Sequence, residues 1–213
     1  MKSGLTIVEM AQQIERQSKL KQDYLLDTRR LQVEPFGSQL YLHTFDDHDD
    51  PLVEPLEINQ IAHRQIGTHL KIPAAYYDRM LSDYPELLAE NVNSWFADKP
   101  SSYMVRSMDY GAGQVARALL SERYRRIDNM EIATSVLPLF AGNDQYEVMS
   151  CEVTENRLYL KVVNHRLEME VRKGDIVQAG VMISNSEVGL GAVSIQPLVY
   201  RLVCTNGMVV NDM

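Results

Sequence analysis

Apolar residues recur at roughly helical spacing through the first hundred residues of the chain. Over Thr6–Leu31 they are separated by short polar stretches, which predicts one or two amphipathic helices. The segment Gln32–Thr44 alternates loosely around Gly37 and predicts a short hairpin. Three more segments predict short helices, and two of them begin with a proline, which the first helical turn tolerates: Ile58–Leu70, Pro73–Leu81 and Pro85–Phe96.

The pattern becomes strand-like after Pro100. Ser102–Met108 and Gln114–Leu120 flank a glycine-containing turn and predict a hairpin. One helix is predicted in this half, Met130–Phe140, with Asp128 as its cap. The remaining segments predict strands separated by turn residues: Tyr146–Val153, Arg157–Val163, Leu167–Val171, Ile176–Ser184, Gly191–Gln196 and Val199–Cys204.

These elements predict an α+β protein in which an N-terminal helical part is followed by a largely antiparallel sheet with helices on one face. No linker, repeat or low-complexity stretch interrupts the 213 residues. We therefore predict a single domain over residues 1–213, helix-rich over 1–100 and strand-rich over 101–213. A chain of this length can bury a substantial core.

Hydropathy and cysteine content favour a cytoplasmic protein. No apolar run approaches the ~20 residues that cross a bilayer, and the N-terminus turns polar too soon for a secretory signal. The two cysteines, Cys151 and Cys204, lie far apart in strand-like segments. We expect reduced core residues rather than a disulfide or a zinc site, and no membrane partner.

The common catalytic and metal-binding motifs are absent from the sequence. It has no phosphate-binding loop, no dinucleotide-binding glycine pattern, no H-E-x-x-H and no G-x-S-x-G. An enzyme is therefore not favoured, and no cofactor is predicted. Phe45–Pro51 holds four aspartates and His48 but lacks the spacing of a calcium loop, so we expect a solvated acidic loop. His63 and His69 lie on predicted helices, where we expect surface or capping roles.

A cluster of arginines with one tyrosine is the most distinctive charge feature. Its members are Arg117, Arg123, Tyr124, Arg125 and Arg126, with Arg106 on the partner strand of the hairpin. On a strand alternate residues share a face, so Arg123 and Arg125 are expected to point together. Guanidinium groups bind phosphate bidentately and an aromatic ring stacks on a base, so the cluster predicts nucleic-acid binding. The alternative is ion pairing on a solvated face or at a subunit contact.

A polar cluster nearer the C-terminus has two open interpretations. Asn185 and Glu187 follow an apolar strand, and Arg201 and Asn206 lie further along the chain. These residues could line a pocket, with Glu187 as an acid, base or metal ligand and Arg201 as an anion clamp. They could equally be turn and register residues, since Asn206–Gly207 favours a tight turn.

The same two clusters carry a family resemblance. SERYRRIDN, GVMISNSEVGLGAVSIQP and YRLVCTNGMVV resemble the phage/plasmid-like family of prokaryotic proteins gathered as domain of unknown function 932. The helical region that starts at IAHRQIG is similar to the one that precedes them in that family, so the resemblance runs from roughly residue 55 to the end. It implies a protein of phages, plasmids or integrated elements, often encoded beside DNA-processing genes, with no established activity. Family members commonly continue with a further helical stretch, so we expect a shortened C-terminus here.

Three functions are compatible with these features. The first is a non-enzymatic nucleic-acid-binding protein of a phage or plasmid, acting as a single-strand DNA recombination or annealing accessory. A net charge of −8 counts against it unless one face is locally basic. The alternatives are an enzyme on a nucleotide-like or phosphorylated small substrate, and a protein-binding module that modulates a host factor. Exposed sheet edges and 11 methionines favour a homo-oligomer.

Overall fold

The computed structural model describes residues 3–172 and 175–201, which divide into two compact units. The central unit is Lys19–Arg125. The terminal unit combines the residues up to Ser18 with those from Arg126 onward. The chain therefore crosses from one unit to the other at two points, and the single domain over 1–213 stays a prediction.

Helices and strands alternate irregularly along the described chain. In order they are β1 (Ser3–Gly4), α1 (Ile7–Leu20), β2 (Lys21–Asp27), a 3₁₀ turn (Thr28–Arg30), β3 (Leu31–Phe36), β4 (Gln39–Thr44), β5 (Leu56–Ile58), α2 (Gln60–His69), α3 (Ala74–Asp83), α4 (Pro85–Asp98), β6 (Ser102–Asp109), β7 (Gln114–Ser121), α5 (Asn129–Phe140), β8 (Tyr146–Val153), β9 (Leu158–Arg172), β10 (Asp175–Asn185) and β11 (Ser194–Arg201). The predicted α+β class is confirmed.

The central unit is a six-stranded sheet with helices packed against it. The strand order is β2-β6-β7-β5-β4-β3, and neighbours are antiparallel except for β5 and β7. Helix α2 contacts β7, and α4 contacts β3. The core between helices and sheet is aliphatic and aromatic, and its fully buried members include Leu40, Leu56, Ile66, Tyr77, Val92, Phe96, Val105 and Leu119.

Local signals explain most elements of the central unit. The side chain of Asn59 accepts a hydrogen bond from the N–H of Ala62 at 2.9 Å and caps α2. Pro85 occupies the first turn of α4, where its missing N–H costs nothing. Gly37 has a φ of +61° in the turn between β3 and β4. These three predicted elements are confirmed.

The predicted helix over Thr6–Leu31 is correct for α1 but wrong beyond Leu20. The residues after it form β2, which pairs with β6 over seven positions. In this register Tyr24 and Leu26 face the core, while Leu25 points away from it and is 64% exposed. A short apolar segment is compatible with the periodicity of a helix and with that of a strand. Pairing with a strand that is distant in sequence decides which of the two forms.

The terminal unit is a five-stranded sheet in the order β1-β8-β9-β10-β11. The two-residue β1 runs parallel to β8, and the other neighbours are antiparallel. Helices α1 and α5 contribute to a core on one face, which includes Met10, Ile14, Ile132, Cys151, Leu160 and Val162. Val163 belongs to a smaller cluster on the opposite face because successive strand residues alternate.

Two strands of the terminal unit are longer than the sequence pattern indicates. The predicted strand Leu167–Val171 is the end of β9. The two segments predicted around Pro197 form the single strand β11, in which Pro197 pairs with Val181. Proline is tolerated there because β11 lies at the sheet edge. The part of that prediction after Arg201 lies outside the described residues.

Two predictions on individual side chains have different outcomes. Cys151 is a buried core residue as predicted, and desolvation raises the pKa of its thiol to about 11; Cys204 lies outside the described residues. The surface role predicted for His63 is wrong, since it is 8% exposed and hydrogen-bonded to Tyr77. His69 is half-buried, and its Nε2 lies 2.9 Å from the carbonyl oxygen of Leu119.

The acidic loop Phe45–Pro51 is closed by its own side chains. Oδ1 of Asp46 accepts hydrogen bonds from the N–H groups of His48 at 2.7 Å and Asp50 at 3.0 Å. These bonds lower the pKa of the Asp46 carboxyl below its usual value. None of the described helices combines the length and apolar character that crossing a membrane requires.

Candidate nucleic-acid interface

The arginine segment, defined here as Glu122–Ile127, joins β7 to α5. The prediction that it continues a strand is wrong. β7 ends at Ser121, and the N–H of Tyr124 donates to the carbonyl of Ser121 at 2.9 Å, which closes a turn. The strict alternation of side chains along a strand therefore does not apply to this segment.

Exposure separates the members of the arginine cluster into two groups. Arg123, Arg125 and Arg126 are exposed, and Tyr124 between them is half-buried. Arg106 and Arg117 are only 1% and 3% exposed. A solvent-borne phosphate can reach the first group only, so the exposed basic surface is narrower than the cluster predicted from the sequence.

Arg106 has a partner inside the central unit. Its Nε lies 2.8 Å from Oδ1 of Asp23, and its Nη2 lies 3.2 Å from Oδ2 of the same residue. Asp23 and Arg106 stand opposite each other on β2 and β6. This bidentate pair satisfies the buried guanidinium and joins the edge strand to the interior of the sheet.

Two side chains bond to the backbone at the downstream end of the arginine segment. Nδ2 of Asn185 donates to the carbonyl of Ile127 and to Oδ1 of Asn129, both at 2.9 Å. Oε1 of Glu187 accepts from the N–H of Asn129 at 2.7 Å. Asn129 begins α5, where a carboxylate complements the positive end of the helix dipole. Asn185 and Glu187 thus fix the point at which the arginine segment enters the helix.

The residue between them completes this buried group. Oγ of Ser186 donates to the carbonyl of Asn156 at 2.8 Å and accepts from the N–H of Leu190 at 3.1 Å. Asn185, Ser186 and Glu187 are each at most 3% exposed. Their described bonds to main-chain groups favour the structural interpretation of this cluster over an open pocket.

Arg201 lies far from Asn185 and Glu187. It pairs with Val177 near one end of β10, whereas Asn185 ends the same strand. Eight residues of strand separate the two positions by about 26 Å at ~3.3 Å per residue. Arg201 instead lies 3.0 Å from Oδ1 of Asp175. Asn206, the fourth residue of the predicted pocket, lies outside the described residues.

A groove of mixed polar and apolar lining in the terminal unit was not predicted from the sequence. It encloses about 620 Å³, and its lining includes Thr6, Asp144, Glu147 and His165. Nε2 of His165 lies 3.1 Å from Oε2 of Glu147, and its Nδ1 lies 3.1 Å from Nε2 of the buried Gln178. Both ring nitrogens are thus engaged. The register of β8, β9 and β10 creates this contact, and no sequence motif could have signalled it.

The chain was compared with known proteins. Residues 117–213 match the model of a family described as Domain of unknown function (DUF932). The resemblance to domain of unknown function 932 is therefore confirmed for this part of the chain, which contains the arginine segment as well as Asn185 and Glu187. No curated protein and no solved structure matches the chain.

Proposed function

We propose that this chain, with its match to domain of unknown function 932, is a non-enzymatic protein that binds single-stranded nucleic acid through Arg123, Arg125 and Arg126. The observation that carries the proposal is the exposure of three arginines within four consecutive residues. A turn at Ser121 bounds the segment upstream, and the bonds of Asn185 and Glu187 bound it downstream.

The chemistry of the arginine segment favours a polyanion with accessible bases. Each guanidinium presents paired N–H donors that match two phosphate oxygens. Tyr124 lies among the arginines and is half-buried, and an aromatic ring beside phosphate-binding groups can stack on a base of any identity. Duplex binding normally uses a wide basic surface, and the net charge of −8 argues against one here. A single strand, held by a few phosphate contacts and one stacked base, fits the segment better.

The biological role that we propose is that of a recombination or annealing accessory of a phage or plasmid. It rests on the resemblance to the phage/plasmid-like family and on the chemistry of the arginine segment. An annealing protein needs sequence-independent contacts with the backbone of a single strand, and the arginine segment offers such contacts. The recombination or annealing role requires that the protein bind single-stranded DNA, so DNA binding is tested first.

Fluorescence anisotropy with a short labelled single-stranded oligonucleotide at low salt tests the proposal. We expect the unmodified protein to bind and a variant carrying Arg123→Glu, Arg125→Glu and Arg126→Glu to lose at least about tenfold in affinity, because each reversal replaces a phosphate contact with a repulsion. A duplex of the same sequence should bind more weakly than the single strand.

A second triple variant separates the local effect from that of net charge. Arg16→Glu, Arg79→Glu and Lys99→Glu reverse three other exposed cations and shift the formal charge by the same amount. This control should keep most of the affinity. Equal losses in both variants would reject the arginine segment as the binding site. Absence of binding by the unmodified protein at low salt would overturn the proposal.

A further inference from the structure

A pocket of about 440 Å³ lies at the β3–β4 hairpin of the central unit. Val33 and Leu42 face the core beneath the helices, and the strand residues of the pocket alternate with them, so the pocket lies on the other face of the sheet. Its volume is within the range of small-ligand sites. The lining side chains used below are Glu34, Phe36, Tyr41, His43, Glu54 and Gln114.

Two aromatic rings form a corner of this pocket. The ring centroids of Phe36 and Tyr41 are 6.1 Å apart, and the ring planes meet at 89°. Phe36 is 77% exposed, so most of its surface is open to a ligand. The face of an aromatic ring attracts a cation held within ~6 Å of its centroid, and among protein cations this is most often a guanidinium. The corner therefore favours a cation carried on an apolar stem.

The charged groups of the pocket are carboxylates. Glu34 and Glu54 both line it, and no lysine or arginine is among the described residues that do so. Oε1 of Glu34 accepts from Nε2 of Gln32 at 2.9 Å, and its Oε2 lies 3.3 Å from Nε2 of His43. Glu54 is exposed and has no hydrogen-bond or ion-pair partner among the residues that the structure describes. One carboxylate is thus held in place, and the other is available to a ligand.

An unsatisfied acceptor in the same pocket points to a ligand with N–H groups. Gln114 begins β7 and lines the pocket, and its Oε1 is buried without a hydrogen-bond donor in the described part of the chain. A buried carbonyl oxygen without a donor is unfavourable, and a bound N–H group relieves that cost. This observation is independent of the carboxylates and of the aromatic corner.

We propose that this pocket binds a guanidinium group on an apolar stem, the chemistry of an arginine side chain or of a small alkylguanidine. The group stacks on the aromatic corner, and its N–H groups donate to the carboxylate of Glu54 and to Oε1 of Gln114. A guanidinium meets these demands together because it is flat, permanently charged and rich in donors. A primary ammonium lacks the flat face, and a quaternary ammonium has no donor for Gln114. This inference is independent of the proposed nucleic-acid function.

Titrations of the full chain with n-butylguanidinium and with n-butylurea, followed by nuclear magnetic resonance, test the proposed chemistry. The two probes share the stem and the flat head group, but only the first is charged. We expect n-butylurea to bind at least about tenfold more weakly, because it lacks the cation–π contact and the charge-assisted hydrogen bonds. Equal affinity for the two probes, or no saturable binding of n-butylguanidinium, would overturn the proposal.

Substitutions of two exposed side chains locate the site without removing core contacts. Phe36→Leu keeps an apolar side chain but removes the aromatic face, and Glu54→Gln keeps the size but removes the charge. Each should weaken the binding of n-butylguanidinium about fivefold or more. Glu90→Gln removes the same charge at an exposed position of α4 outside the pocket and should leave the affinity unchanged. Unchanged affinity in both pocket variants, or an equal loss in Glu90→Gln, would reject this pocket as the site.

A pair of capped tripeptides identifies the source of the guanidinium. One presents an arginine between two glycines, and the other carries the neutral citrulline in its place. An arginine peptide that binds more tightly than n-butylguanidinium would support an arginine of a partner protein as the ligand, and one that binds more weakly would support a small alkylguanidine. A citrulline peptide that binds as well as the arginine peptide would contradict the proposal for both sources.

Discussion

His63 and Tyr77 form a buried polar pair within the helices of the central unit. Nδ1 of His63 lies 2.9 Å from the hydroxyl oxygen of Tyr77, and the two residues are 8% and 2% exposed. Burial, followed by the nearby Arg64, lowers the pKa of His63 from 6.5 to about 4, and burial raises that of the Tyr77 hydroxyl. Both groups are therefore neutral in the folded protein at neutral pH.

We predict that acid destabilises the central unit through His63. The unfolded imidazole takes up a proton below pH 6.5, whereas the folded one resists until about pH 4. Between these values the unfolded state binds more protons, so the free energy of unfolding falls as the pH is lowered, by about 3 kcal/mol in total. Urea unfolding at a series of pH values, followed by the fluorescence of Trp95 in α4, measures this loss.

His63→Asn is the matched variant for that measurement. Its amide oxygen can still accept from the Tyr77 hydroxyl, but it does not titrate. We expect lower stability at neutral pH, because the ring leaves a gap, and a flatter dependence on pH between 6.5 and 4. Parallel curves for the two proteins would show that other groups cause the acid sensitivity.

Arg106 shows what the sequence could not reveal about single residues. Because arginine side chains are mostly exposed in folded proteins, an arginine on a strand is expected at the surface. Its burial depends on Asp23, which stands opposite it only because Lys21–Asp27 is a strand. The sequence pattern predicted a helix there, so the partner was invisible. Arg123 and Arg125 are exposed, but they lie after the end of β7 and not on the predicted strand.

At the scale of an element, Asn93 of α4 blocks the edge strand β3 of the central sheet from pairing with a further strand. Its two bonds to Val33 replace those of a missing neighbouring strand. We predict that Asn93→Ala lowers the free energy of unfolding of the central unit by about 1–3 kcal/mol, because a backbone N–H and C=O lose their partners. The variant should also self-associate through the exposed edge on warming. Urea unfolding and light scattering measure the two effects.

Ser94→Ala provides the comparison for Asn93→Ala. Ser94 is the next residue of α4, but its hydroxyl donates to the carbonyl of Glu90 within the same helix at 2.8 Å. This variant should change the stability of the central unit little and leave the β3 edge closed. A loss of stability as large as that of Asn93→Ala would mean that α4 itself, rather than its contact with Val33, is being perturbed.

Elements with strong local signals were predicted well, and those set by tertiary pairing were not. Asn59 and Asp128 mark helix starts that the structure places within two residues of the prediction. The turn after Ser121 is closed by the N–H of Tyr124 three residues along, whereas strand β2 depends on β6, a partner elsewhere in the chain. For the same reason, the sequence identified Asn185 and Glu187 as a polar group but could not show that they bond to the backbone beside α5.

At the scale of the whole molecule, the proposed interface is a short basic segment on an acidic protein. In this proposal the formal net charge of −8 repels nucleic acid at long range, while Arg123, Arg125 and Arg126 attract it locally. Salt screens both effects, but only contacts with phosphates release counterions in proportion to their number. The salt dependence of binding therefore counts the contacts that the proposed interface makes.

We predict a slope of about −2 for the logarithm of the single-strand binding constant against the logarithm of salt concentration, since three phosphate contacts each contribute about −0.7. The triple reversal at positions 123, 125 and 126 should bring the slope close to zero, and reversal at Arg16, Arg79 and Lys99 should leave it unchanged. Anisotropy titrations at four or more salt concentrations measure it. A slope more than twice as steep would place additional cations in the interface and make the arginine segment one part of a wider surface. A slope near zero in the unmodified protein would mean that stacking rather than charge holds the strand, and would transfer the main role from the arginines to Tyr124.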